Sequence, residues 1–153
     1  MSGSNKDQVE LEIEEERNIE LLELVNVLLA ASYEFLMLNL VSKYLNMPAT
    51  NWYARRTDEK CRDAALMILS WLEVNGEYIQ LADISKPTYD EPDLTEEFVI
   101  RRWEEVENWI HSYIEKINTK LEENYCKNKG EIIDMLNLVS ACLTDLIGYD
   151  DRC

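Results

Sequence analysis

Reactive side chains are few in this 153-residue chain, apart from carboxylates. There are 31 Asp and Glu against 15 Lys and Arg, a formal charge of −16. The one histidine, His111, cannot build a multi-histidine metal site, and no Asp, Cys or Ser partner stands at triad spacing from it. It reads as a surface or inter-subunit histidine. The cysteines fall at 61, 126, 142 and 153 without a C-x-x-C pair. They read as free thiols in a reducing compartment, not as a zinc site or a disulfide framework. Gly3, Gly76, Gly130 and Gly148 lie too far apart for a phosphate-cradling loop. The charge opposes phosphate backbones and anionic lipid, so neither nucleic acid nor a membrane is an expected partner. What remains is a surplus of carboxylates, whose use depends on the elements that position them.

Hydrophobic spacing predicts four helices. The first runs from about Gln8 to Leu45, with a stripe of Leu21/Leu22, Val25, Leu28/Leu29, Ser32 and Phe35/Leu36. Its apolar stretch Leu24–Leu40 is broken by Asn26, Ser32, Glu34 and Asn39, which argues against a membrane span. Pro48 ends it. The second helix, from about Thr50 to Val74, stops at Asn75-Gly76. Residues 77–92 carry no helical stripe and contain Pro87 and Pro92. At ~3.3 Å per extended residue they can cross the length of a bundle. Tyr78, Ile79, Leu81 and Ile84 suggest that the connection packs as it goes. The third helix opens at Asp93-Leu94-Thr95-Glu96, an N-cap pattern, and runs to Asn124. The fourth covers Glu131 to about Ile147, after an Asn128-Lys129-Gly130 turn.

The expected fold is therefore an all-α bundle of two antiparallel helices, a long crossover and two more antiparallel helices, over residues 9–148. Short tails at 1–8 and 149–153 flank it. No apolar leader is visible at the start, so a cytoplasmic protein is the expectation.

Several motifs in order then resemble the animal ferritin family. Leu29-Ala-Ala-Ser-Tyr-Glu-Phe-Leu36 resembles its first-helix signature. Asp58-Glu-Lys-Cys-Arg-Asp-Ala-Ala-Leu-Met67 resembles the second-helix run built on Glu-x-x-His. Ile79-Gln-Leu-Ala-Asp-Ile-Ser-Lys-Pro87 is similar to the crossover strand, and Val106-Glu107-Asn108 to the stretch carrying a third-helix ligand. The likeness runs from about Gln8 to Gly148, with a short deletion near Pro48. It implies a ferritin-like bundle with one long crossover between helices 2 and 3. With five residues after Gly148, the family's usual fifth helix is not expected.

The resemblance also implies where an iron-oxidising centre would stand. The first-helix glutamate falls on Leu28, the nearby tyrosine on Phe35, the Glu-x-x-His pair on Glu59 and Arg62, the third-helix glutamate on Glu107, and the fourth-helix glutamine on Ala141. Two carboxylates cannot hold two irons. Arg62, three residues after Glu59, shares its helix face, and a guanidinium does not give up its proton. Glu59, Arg62 and Glu107 are thus expected to form a buried salt-bridge cluster. A residual single-metal site on Glu59 and Glu107 is the competing reading. Glu131 and Asp134 match carboxylates of the family's threefold pore, or else serve as charge at a helix N-terminus. Asp58, Cys61 and Ala64 fall where iron-storing relatives carry an inner-surface carboxylate cluster, here depleted.

The expectation is a catalytically silent ferritin-family subunit, not an enzyme, with a structural or storage role in iron homeostasis. The alternative is an interaction or scaffold bundle that keeps only the fold. No tightly bound cofactor is expected, and iron is the candidate cargo. Expected partners are further copies of the chain or other ferritin subunits. The four Trp and eight Tyr suit either an interface or the edge of the core.

Overall fold

A computed structural model describes residues 2–75, 79–85, 87, 89, 94–123 and 128–147. Among them there are four helices: α1 (Ser2–Tyr44), α2 (Pro48–Val74), α3 (Glu96–Glu123) and α4 (Lys129–Ile147). The predicted fold class holds at the level of an all-α, four-helix protein. Gly148 and the 149–153 tail lie outside the described residues, as do Tyr78, Pro92 and Asp93.

Helix α1 begins at Ser2, so the predicted 1–8 tail is helical from there. The early turns had offered no apolar stripe to announce it. Val9 and Leu11 alternate with glutamates and stay exposed. At ~1.5 Å per residue, α1 is roughly 65 Å long against about 40 Å for α2. An 18-residue window within Leu11–Tyr44 reaches a mean hydropathy of 1.7, long and apolar enough to cross a membrane by composition. Half of that window is buried against the other helices.

The α1–α2 turn follows from its residues. Met47 N–H donates to Ser42 O at 2.8 Å and Asn46 N–H to Lys43 O at 3.2 Å, with Asn46 at φ 58°. This is a Schellman ending with Asn in the left-handed position, and Pro48 starts α2 where no amide hydrogen is needed. α3 starts two residues later than the sequence pattern suggested. Thr95 Oγ1, not Asp93, accepts the Phe98 amide at 3.1 Å and caps the helix.

Cross-helix pairs give the topology. Asn39 meets Asn51 and Ser32 meets Asp58, so α2 runs antiparallel to α1. Glu34 meets Arg102, Glu23 meets Tyr113 and Glu20 meets Lys120, so α3 is antiparallel to α1 as well. Trp71 near the end of α2 donates to Glu131 at the start of α4. The core is one cluster drawn from all four helices, with Leu24, Leu28, Phe35, Ile68, Trp103, Ile117 and Ile132 fully buried. Between α2 and α3, the described connecting residues lie along α1. Ala82 N–H donates to Asn26 Oδ1 at 3.3 Å, and the Tyr89 hydroxyl donates to Glu34. Ile79 packs on the core, whereas Leu81 and Ile84 are largely exposed, so the segment packs through fewer residues than its composition suggested.

Candidate functional site in the bundle interior

The interior polar groups gather at one level of α1, α2 and α3. Ser32 Oγ donates to Asp58 Oδ1. Arg62 Nη2, one turn along α2, reaches Asp58 Oδ2 at 3.1 Å. Both oxygens of this buried carboxylate are therefore engaged. Cys61 beside it is fully buried. Burial pushes its thiol up to about 12, and the charges of Asp58 and Glu107 add to the effect. The sulfur stays protonated and is no nucleophile at neutral pH. Glu107, half-buried on α3, accepts the Trp103 indole N–H at 2.6 Å. Trp103 in turn packs edge-on against Phe35, with ring centroids 4.9 Å apart.

This arrangement corrects the expected site by one residue on α2. Asp58 and Cys61, not Glu59 and Arg62, face the core. Glu59 is exposed and lines an outer groove. The Arg62 side chain is 54% exposed while that of Asp58 is 8%. The predicted Glu59–Arg62–Glu107 cluster is not formed, and Glu59 and Glu107 are not brought to one site. The sequence left this register open because Ala64/Ala65 and Ile68/Leu69 straddle the inward line in pairs. Opposition to Ser32 decides it.

Leu28 and Phe35 are fully buried, as their inward placement required. Ala141 is exposed on α4 and does not look into the interior. Cys61 and Ala64 are buried inside the bundle, while Asp58, though largely buried, lines the same groove as Glu59. Glu131 and Asp134 are exposed near the start of α4, and Glu131 Oε1 accepts the Trp71 indole N–H at 3.0 Å. His111 is half-buried on α3.

These residues do not fit the two-metal centre that the ferritin likeness implies. Leu28 and Phe35 offer no donor atom, and each Asp58 oxygen already accepts a hydrogen bond, from Ser32 and from Arg62. Among the described residues, no three His, Cys, Asp or Glu side chains group so as to hold a metal ion.

A second polar centre escaped the sequence reading. Glu34 on α1 accepts Arg102 Nη2 at 2.7 Å, Arg102 Nε at 3.3 Å, and the Tyr89 hydroxyl. One carboxylate thus ties α1, α3 and the connecting segment together. Its bond to Arg102 is the first cause raising that guanidinium's pKa. Burial first, then the Glu34 bond, raises the Tyr89 phenol's. The signal was present in the sequence. Asn26, Ser32, Glu34 and Asn39, the four interruptions of the apolar stretch, each make a bond to another part of the chain.

No protein-family model, curated protein or solved structure matches this chain. The class that the geometry defines is a four-helix all-α protein with a hydrogen-bonded carboxylate and a protonated thiol in its interior.

Proposed function

We propose that the chain is a ferritin-like subunit without an iron-oxidising centre. It acts in the cytoplasm as a structural or storage partner in iron homeostasis, in an assembly of its own copies or with other subunits. One observation carries this reading. Leu28 and Phe35 are fully buried apolar side chains at the level of the interior carboxylates, where the family likeness places ligands. The bonds of Ala82 and Tyr89 to α1 support a single long crossover between α2 and α3.

The test is anaerobic addition of Fe(II) to the purified protein, followed by air. The expected rate of oxidation equals that of buffer alone, and fast oxidation would defeat the proposal. Native mass measured together with iron content then separates a storage role from the second reading, an interaction bundle that keeps only the fold. That second reading draws on Asp58, whose two oxygens are already bonded within the protein. A large iron-bearing assembly favours storage. A small iron-free one favours the scaffold.

A further inference from the structure

Helix α1 outruns the helices it packs on. Ser32–Asp58 and Asn39–Asn51 hold α1 and α2 in one antiparallel register, which sets Val74, the last residue of α2, level with Glu16. Glu34–Arg102 and Glu16–Lys120 do the same for α3 and set its end, Glu123, beside Ile13. The Trp71–Glu131 bond puts the start of α4 at this same end of the bundle. Residues 2–12 of α1 therefore stand beyond the described ends of the other three helices, over roughly 16 Å at the rise of an α-helix.

The projecting helix carries an apolar line out of the bundle. Where it leaves, a cleft of about 180 Å³ opens between α1 and α3, floored by Ile13, Ile117 and Leu121 and edged by Glu16, Lys120 and Glu123. Val9 lies one turn before Ile13 on the same helix face, continues the line outward and is 53% exposed. Glu12 and Glu16, each three residues after an apolar member of the line, stand exposed along its edge.

The charges say what covers this line. Between Lys6 and Arg17 the chain has five glutamates and no cation. Both cations at the cleft are engaged within the protein: Lys120 bonds Glu16 and Glu20, and the Arg17 guanidinium lies over the Trp71 ring. Glu10 and Glu14, like Glu12 and Glu16, set equal charges four residues apart, which weakens the helix while it stands alone. A second copy of the chain would bring the same glutamates, and anionic lipid or nucleic acid would be repelled. We infer that Val9, Ile13 and the cleft receive a basic amphipathic helix of a partner protein. Its apolar side chains lie on the Val9–Ile13 line, and its Lys and Arg stand against Glu12, Glu16 and Glu123. Such a helix extends the bundle alongside α1 and relieves the repulsion among the glutamates.

This docking makes no use of iron, so its failure and that of the silent-subunit reading are distinguishable. The test uses a dye-labelled synthetic helix of about 18 Leu and Lys residues, with the leucines on one face. Fluorescence anisotropy follows its binding to the full chain, expected in the micromolar range. Val9→Ser weakens binding by about fivefold, and Glu12→Lys with Glu123→Lys by roughly tenfold or more. Asp63→Lys with Glu104→Lys alters the net charge equally, lies outside the cleft and leaves binding nearly unchanged. All five residues are exposed, and circular dichroism checks that the helices persist. Hydrogen exchange slows along residues 9–16 when the peptide is added. A peptide that does not bind overturns the inference, as does one that binds equally well with its leucines replaced by glutamine. So does a distant charge pair that weakens binding as much as the cleft pair, or a Val9→Ser variant that binds like the wild type.

Discussion

Glu34 and Arg102 stand 68 residues apart in sequence and meet in a forked ion pair, with Arg102 Nη2 at 2.7 Å and Nε at 3.3 Å from the carboxylate. The Arg102 guanidinium also lies over the Trp109 ring at 4.7 Å and pairs with Glu105 at 2.9 Å. Replacing Arg102 by Leu leaves a largely buried carboxylate with only the Tyr89 hydroxyl. The expected loss is about 2 kcal/mol of stability. Tyr89→Phe is expected to cost about 1 kcal/mol. Urea unfolding of both variants and their double mutant gives the coupling. Strict additivity would show that the three groups do not act as one centre.

Alkaline pH is expected to destabilise the fold. The Cys61 thiol rises from its ordinary 9.0 to about 12 on folding, so the folded state holds that proton more tightly than the unfolded chain. The stability is fully present below pH 9 and is lost as pH climbs towards 12. Tyr89 shifts in the same direction and adds to the slope. A urea midpoint measured across this range should fall, and Cys61→Ala should flatten part of the fall. An unchanged midpoint at about pH 11 would refute the assignment.

Rebuilding a metal site should succeed only in the register that the structure shows. Leu28→Glu with Cys61→His adds two ligands at the level of Asp58 and Glu107. That variant is expected to bind Co(II), with a visible spectrum as the readout. Leu28→Glu with Arg62→His directs its imidazole to the exposed side and should bind no better than Leu28→Glu alone. Equal spectra from the two variants would return the inward line to Glu59 and Arg62.

Ala141→Gln should be nearly silent. Ala141 is exposed on α4, and a surface substitution of this kind shifts stability by no more than about 0.5 kcal/mol. Thermal unfolding checks it. A large loss would mean that residue 141 packs inward after all.

Helix count and the approximate bounds of α2, α3 and α4 were legible because apolar residues recur at helical spacing and Asn75, Pro48 and Asn128 punctuate the chain. The facing of Asp58 was not. Charged residues occupy 58, 59, 62 and 63, on both sides of the inward line, so no periodicity separates them. Only the opposite helix, through Ser32, selects one. The Glu34 centre was hidden for a related reason. A lone glutamate in an apolar run reads as an interruption until Arg102 and Tyr89 arrive from distant sequence. Glu20 and Lys120 show the same limit, being paired across helices that hydrophobic spacing alone does not order.

The reciprocal amide pair of Asn39 and Asn51, each donating to the other's backbone carbonyl at 2.7 Å, lies just beyond the tight turn at Asn46. Contacts this local close at little entropic cost, whereas α3 must wait for the connection across residues 75–95 to be ordered. The α1–α2 hairpin is thus the natural folding nucleus. Asn51→Ala should mainly slow refolding, while Arg102→Leu should mainly speed unfolding. Stopped-flow chevron plots of the two variants would show the order in which this bundle assembles.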